Sequence, residues 1–147
     1  VVVDLSGMME RFSVALMHEC SRILLVCTPE VPALHLAAQK LRYLNSQELA
    51  SRVQVVLNRA EKYSVLSESE IQKLLGAPVH WTVPNDYARV HKAMMAGQMV
   101  DPASKLGKSL EELAHSLSEN AEPVERKKPR FLEYFSLGNE EYTPVQH

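Results

Sequence analysis

Four short apolar runs recur along the first part of the chain. They cover residues 1–5, 23–27, 53–57 and 79–83, and each gives way to a polar or chain-turning residue. Apolar runs of about 4–8 residues bounded by turn signals are typical of strands that are buried on both faces of a sheet. We therefore predict four buried strands at these positions.

Segments with helical spacing separate these runs. Apolar residues recur at intervals of three and four positions within residues 8–19, 34–49 and 67–75. Regular alternation of strand and helix favours a parallel sheet with right-handed crossovers, because each helix must return the chain to the same end of the sheet. The predicted fold class is α/β, with a parallel sheet flanked by helices.

The third of these helices carries signals at both of its ends. Ser67 followed by Glu70, just before an apolar stretch, is a capping-box pattern. Gly76 followed by Pro78 is a stop signal, because glycine readily adopts the left-handed conformation at a helix end and proline cannot continue the helix.

Two further helices are predicted after the fourth run, at residues 86–96 and 103–117, and both should pack against the sheet. We predict one folded unit over residues 1–118 and a flexible tail over residues 119–147, which is charged and punctuated by prolines. The tail combines basic with aromatic and aliphatic residues, which leaves open a contact with its own domain, a partner or a membrane. These tail residues are Arg126, Lys127, Lys128, Arg130, Phe131, Leu132, Tyr134 and Phe135.

The overall composition is that of an ordinary globular protein. The chain has 147 residues, of which 46% are hydrophobic, and a net charge of −2, so one domain is expected and bulk attraction to nucleic acid is not. Cys20 and Cys27 both adjoin apolar segments and form no C-x-x-C pair, which predicts buried, reduced thiols and suits the cytoplasm. No apolar run approaches the ~18 residues of a membrane-spanning helix.

Polar residues follow each predicted strand. In an open parallel sheet, ligands bind in the crevice beyond the carboxyl ends of the strands. A carboxylate there suits hydrated magnesium, and a side-chain amide suits the donor and acceptor edge of a base. Aspartate, asparagine and proline are also common at ordinary turns, so a purely structural role stays open for each. The residues concerned are Asp4, Thr28, Pro29, Glu30, Asn58, Arg59, Pro84, Asn85 and Asp86.

In order along the chain, these runs and the residues after them resemble the second half of a MinD/ParA-type ATPase. The resemblance covers residues 1 to about 117. The sequence Pro-Asn-Asp-Tyr at 84–87, with Gly97 and Leu-Gly-Lys at 106–108, is most similar to the CpaE/TadZ-like group of pilus-assembly ATPases. The fold implied is part of the three-layer, P-loop NTPase-like fold of that family.

The resemblance implies roles for individual residues. Asp4 corresponds to the aspartate that holds magnesium through water, and Asn58 corresponds to the asparagine that reads adenine. Pro84 and Asn85 would line the base and ribose. Glu30 lies near the face where two subunits close over ATP. No glycine-rich phosphate loop accompanies these residues, so we expect the chain to be the C-terminal part of a longer protein and to be inactive as an ATPase by itself.

The function that the resemblance implies is a nucleotide-dependent localisation switch in pilus assembly or secretion. Its cofactors would be ATP and Mg²⁺, and its partners a second copy, bound through nucleotide, and proteins of the pilus or secretion machinery. Sequence-specific nucleic-acid binding is not expected. We expect a cytoplasmic location, and peripheral attachment to the inner membrane is left open. The competing hypothesis is a non-catalytic scaffold that retains the fold, and a receiver-like signalling domain is a weaker third.

Three further features of the sequence suggest functional sites but favour ordinary structural roles. Gly-Lys-Ser at 107–109 imitates the end of a phosphate loop but has Pro102 where such a loop needs a glycine, so an exposed helical turn is predicted. The six histidines lack the spacing of a metal site. Met94, Met95 and Met99 are predicted to fill the core, with a partner-binding groove as the alternative.

Overall fold

A parallel sheet forms the centre of the protein. The computed structural model describes residues 1–5, 9–61 and 65–119. Within them the sheet has three parallel strands in the order β1-β2-β3, so β2 is central. The strands are β1 (Ile23–Cys27), β2 (Val53–Ala60) and β3 (Trp81–Pro84).

Helices alternate with these strands as the sequence predicts, although several of their ends are displaced by two or three residues. A short 3₁₀ helix at Ala50–Arg52 leads into β2. No helix of the described residues is long and apolar enough to cross a membrane. The helices are α1 (Arg11–Glu19), α2 (Val31–Ser46), α3 (Glu68–Leu75), α4 (Tyr87–Met95) and α5 (Lys105–Glu119).

The helices cover both faces of the sheet and so produce three layers. On one face, α2 and α3 contribute Leu34 and Ile71 to a buried cluster that includes Val55 of β2. On the other face, Leu106 of α5 packs with Val56 and Val83. Successive side chains of a strand point to opposite faces, so β2 supplies both clusters from adjacent positions. The predicted α/β fold class is confirmed.

The first predicted strand is not formed. Residues 1–5 take no strand conformation in the structure, and Val1 and Val2 are exposed. Leu5 instead packs against a third cluster that contains Met17 and Ile23. A strand is stable only when a neighbour pairs with its backbone donors and acceptors. These five residues have no ladder partner, and Leu5 buries apolar surface elsewhere.

The prediction that the strands are buried on both faces is confirmed for β2 and is wrong for β1. Val55, Val56 and Leu57 of the central strand are all buried, whereas Val26 of β1 is 57% exposed. β1 lies at the edge of the sheet, and the cluster formed by α5 is centred on β2 and β3. Val26 lies on the same face as Val56, and α5 covers that face over Val56 and Val83 but leaves the end of β1 uncovered.

The three methionines predicted to fill the core are exposed. Met94 and Met95 lie near the end of α4, and Met99 follows Gly97 in the connection to α5. The helix contacts the sheet-side cluster through Val90, and none of its residues is fully buried. One face of a short helix is enough to hold it against the sheet, and the methionines occupy positions outside that face.

The two cysteines are free thiols in different surroundings. Cys27 is buried at the end of β1, and burial raises the pKa of its thiol because desolvation disfavours the thiolate. The prediction of a buried thiol is confirmed for Cys27, while Cys20 is only partly buried.

Gly107 lies in the first turn of α5, which confirms a helical turn at residues 107–109, but Gly107 is buried and the predicted exposure is wrong for it. Its backbone N–H donates to Oγ of Ser104, 2.9 Å away. A Cβ atom at Gly107 would overlap the carbonyl oxygen of Asp101 and lie 2.7 Å from Cα of Pro102. This glycine is therefore required by the close approach of the preceding loop.

The capping box of α3 is confirmed in atomic detail. Oγ of Ser67 accepts from the backbone N–H of Glu70 at 3.3 Å, and Oε2 of Glu70 accepts from the backbone N–H of Ser67 at 2.8 Å. Gly76 ends the helix in the left-handed conformation, with φ of 68°. The hydroxyl and backbone N–H of Ser67 lower the pKa of the Glu70 carboxyl, because both hydrogen bonds favour its charged form.

We predict that Ser67→Ala destabilises the chain by about 1 kcal/mol at pH 7, the usual effect of losing an N-cap side chain. Ser51→Ala is the matched control, since Ser51 is exposed and caps no helix. Urea unfolding measures both. Because the pKa of Glu70 is lowered in the folded state, the capping box adds its full share to the free energy of unfolding at pH values above the pKa of this carboxyl in the unfolded chain. Its contribution disappears as the pH falls through the folded value. The penalty should therefore shrink at pH 3, and an equal penalty at both pH values would show that Glu70 plays no part.

Candidate functional site

The carboxyl ends of the three strands lie side by side. β1 and β2 are in register from Ile23 opposite Val53 to Cys27 opposite Leu57. β3 continues the alignment, with Ala60 of β2 opposite Pro84. The turns that follow the strands therefore meet along one edge of the sheet, the edge that binds ligands in open α/β sheets.

A bulge interrupts the end of β2. From Leu57 to Ala60 this strand advances three residues, while β3 advances two, from Thr82 to Pro84. Arg59 absorbs the extra length in the left-handed region, with φ of 56°. Bulges of this kind redirect side chains and are frequent beside functional sites. The sequence predicts that β2 ends at Leu57, and no residue pattern in the sequence indicates the bulge.

Asn58 stabilises the bulge from within. Its side-chain Oδ1 accepts from the backbone N–H of Arg59 at 2.9 Å. The bond leaves the side-chain NH₂ group of Asn58 as its remaining donor. Asn58 therefore lies at the predicted edge, partly exposed, with half of its amide occupied by the turn.

Asn85 is tied to the end of β2 by two hydrogen bonds. Its backbone N–H donates to the carbonyl oxygen of Ala60 at 2.9 Å, and its side-chain Nδ2 donates to Oε1 of Glu61 at 3.1 Å. Sequence reasoning missed Glu61, because the strand before it was expected to end four residues earlier. Had the bulge been foreseen, Glu61 would have been recognised as a polar residue following a strand.

Glu30 is held in its charged form just beyond the end of β1. The hydroxyl of Thr28 holds the pKa of Glu30 below its ordinary value, and a hydrogen bond from the backbone N–H of Glu30 and, least of all, the Arg59 guanidinium lower it further. All three favour the charged carboxylate.

Asp86 has a structural role. Its side chain accepts from the backbone N–H of Arg89 at 3.3 Å and pairs with the Arg89 guanidinium at 2.6 Å. Chiefly because of the Arg89 side chain, the pKa of Asp86 lies below its usual range. An aspartate at this position caps α4, whose first turn leaves backbone N–H groups without helical partners.

Two depressions open at this edge. The first has a volume of about 270 Å³ and lies between Pro29, the end of β2 and the start of α3. The second, about 430 Å³, lies between Pro84 and the first turns of α5, where Lys105 and Lys108 line it. Glu61 borders both. Of the residues predicted at this edge, Pro29 lines the first depression and Pro84 the second, while Glu30, Asn58 and Asn85 line neither.

The structure does not bring Asp4 to this edge. Its neighbour Leu5 packs beside Ile23 and Val53, the first residues of β1 and β2, at the opposite edge of the sheet. Within the described ranges, no group of three or more histidine, cysteine, aspartate or glutamate side chains could hold a metal ion. The role predicted for Asp4 therefore stays a prediction, as do those of the residues at the carboxyl edge.

A three-layer sandwich with polar turns at the carboxyl edge of a parallel sheet is an open α/β fold of the kind that binds ligands at that edge. The solved structures that resemble this one are ParA and MinD ATPases, which supports the MinD/ParA family. A ParA family ATPase from Chlorobium tepidum TLS is 27% identical over 74% of this chain, with a TM-score of 0.68. MinD in a MinC:MinD complex from Aquifex aeolicus is 21% identical over 82%, with a TM-score of 0.64. MinD from Pyrococcus furiosus is 24% identical over 67%, with a TM-score of 0.55.

The chain spans about half the length of these proteins, covering 47%, 51% and 43% of them respectively. No protein-family model and no curated protein matches the sequence. The fold is therefore that of the ParA and MinD ATPases, represented by three parallel strands and the helices that flank them.

We predict that Arg59→Gly is more stable than Arg59→Ala by about 1 kcal/mol, because glycine adopts the left-handed conformation without the Cβ penalty. Both variants lose the guanidinium, so their difference isolates the backbone. Urea unfolding of the two variants gives the comparison. Equal stabilities would mean that the bulge relaxes out of the left-handed region when the side chain changes.

Proposed function

We propose that this chain forms the base-binding part of a CpaE/MinD-like ATP-binding protein that acts as a nucleotide-dependent localisation switch in pilus assembly or secretion. The observation that carries the proposal is the bulged end of β2, which sets Glu61 beside Asn85 and carries Asn58 at the same carboxyl edge of the sheet. The similarity to ParA and MinD ATPases supports it.

Each residue at the edge has a proposed role in nucleotide recognition. The free donor of the Asn58 amide reads an acceptor on the adenine ring. Pro84 and Asn85 line the base and ribose, and the hydrogen bonds from Asn85 to β2 keep that turn in place. Glu30, held charged by Thr28, lies at the face that a second subunit would approach.

The proposed cofactors are ATP and Mg²⁺ in the full-length parent. Asp4 remains the proposed magnesium residue on the resemblance alone. The proposed assembly is a homodimer closed by nucleotide, with pilus or secretion proteins as its partners. We place it in the cytoplasm. Peripheral attachment to the inner membrane through the tail belongs to the same proposal.

A non-catalytic scaffold is the second candidate, and one observation favours it. The amide groups at the edge already have partners within the chain, since Asn58 accepts from Arg59 and Asn85 donates to Glu61. A site whose polar groups satisfy one another gains less from a ligand, because each new hydrogen bond must replace an existing one.

The first test is base selectivity in the 147-residue chain. We predict that AMP shifts the side-chain amide resonances of Asn58 and Asn85 in NMR titrations and that GMP does not. Asn58→Ala should weaken AMP binding about two- to tenfold, the effect of one neutral hydrogen bond. Asn45→Ala is the control, an exposed asparagine at the end of α2. Equal responses to AMP and GMP, or no response to either, would favour the scaffold.

The second test concerns hydrolysis. Because the sequence contains no glycine-rich phosphate loop, we predict that the chain releases phosphate from ATP and Mg²⁺ no faster than a buffer control. A steady-state phosphate assay measures this. Activity above background that is lost in Asn58→Ala would place a complete catalytic site within these residues and overturn the assignment to the base side alone.

A further inference from the structure

Helix α4 presents an ordered apolar stripe to solvent. Tyr87, His91, Met94 and Met95 are spaced at i, i+4, i+7 and i+8, so they share one side of the helix. Tyr87 is 73% exposed, Met94 74% and Met95 77%. Met99, 91% exposed, follows just beyond the helix. We call these five residues the α4 stripe.

The stripe is distinct from the side of α4 that packs on the sheet. Val90 makes the contact with the cluster around Val56 and Val83. The rings of Tyr87 and His91 stack with centroids 5.7 Å apart and planes inclined by 28°, which gives the stripe a flat aromatic end. Contiguous exposed apolar side chains on a soluble protein commonly mark a docking surface.

The charges around the stripe are mixed. Arg89 and Lys92 lie on α4, while Asp86 and Asp101 flank the helix and both act on the Arg89 guanidinium. Arg89 is engaged by Asp86, whereas Lys92 forms no ion pair with any residue of the described ranges. An occupant of the stripe should therefore combine apolar, preferably aromatic, side chains with carboxylates.

The chain itself contains a segment of that chemistry. Residues 131–142 read Phe-Leu-Glu-Tyr-Phe-Ser-Leu-Gly-Asn-Glu-Glu-Tyr, with four aromatic residues, three glutamates and no lysine or arginine. Thioether sulfur makes favourable contacts with aromatic rings, so methionines and these side chains are suited to each other. The segment lies outside the described residues.

The chain is long enough to bring this segment to the stripe. Helix α5 begins beside Pro84, close to the start of α4, and Ser116 near its far end accepts a hydrogen bond from Arg22 at 2.9 Å. Its 15 residues span about 22 Å. Between Glu119 and residue 131 an extended chain reaches up to about 40 Å, which exceeds the length of α5.

We propose that residues 131–142 dock on the α4 stripe of the same chain. Phe131, Tyr134 and Phe135 cover the methionines, and Glu133 approaches Lys92. The interaction is intramolecular, so the short connection raises the local concentration of the segment and a modest contact area suffices. A second copy or an anionic membrane as the occupant would each give a different result in the test below.

The test is oxidation of methionine by dilute hydrogen peroxide, followed by peptide mass spectrometry on the full chain. Exposed methionines convert to the sulfoxide, so docking should slow the reaction at Met94, Met95 and Met99. In the Phe131→Ser/Phe135→Ser variant these three should oxidise about fivefold faster, as expected if the docked state is mostly populated. Met17, 5% exposed, is the internal control for unfolding and should not change.

A charge exchange tests the orientation. Lys92→Glu should also speed oxidation of the stripe, and adding Glu133→Lys should restore slow oxidation, because the pair is re-formed with its charges reversed. Lys73→Glu, at an exposed lysine on α3, is the matched control and should leave the rates unchanged.

Three results would overturn the proposal. Equal oxidation rates in the parent and the Phe131→Ser/Phe135→Ser variant would show that the segment does not cover the stripe. Protection that grows with protein concentration would assign the stripe to a second copy. Protection that appears only with phosphatidylglycerol vesicles would assign it to a membrane.

Discussion

The structure depends on the central strand β2, which is hydrogen-bonded on both sides and buried on both faces. Val55 and Leu57 hold α2 and α3 against one face, while Val56, between them, receives α5 on the other. Burying a side chain of this size contributes about 1.5–3 kcal/mol to stability. These three side chains together hold the helices on both faces against the sheet. Strand β2 also sets the positions of the turns at the site, because β1 and β3 each pair with β2 and not with each other.

Local signals in the sequence predicted most of the architecture. Strand β1 was placed at its observed bounds, and the capping box fixed the start of α3, because a short polar pattern there has one favourable geometry. Local signals do not encode which segments pair or pack with distant parts of the chain, and such contacts decide whether a strand forms and which side chains are buried. Residues 1–5 have the composition of a strand but no ladder partner, and α4 needed only Val90 to reach the core, which left its methionines outside.

The candidate site was predicted less completely. Asn58, Asn85 and Glu30 were placed at the correct edge because the ends of parallel strands converge there. The bulge was not foreseen, since a left-handed arginine has no sequence signature, and it moved the end of β2 onward to Ala60 and Glu61. The edge therefore carries side-chain amides whose hydrogen-bonding groups are already partly satisfied within the chain. The fold that positions them is similar to that of the ParA and MinD ATPases.

The exposed edge of β1 has a consequence for the protein in solution. The sheet of the described residues ends at β1, where Val26 stands uncovered and the outer backbone groups face away from β2. Such an edge is a template for any further strand, its own copies included. A lysine in place of Val26 would put a charge beside this edge and act as a gatekeeper against strand-to-strand aggregation.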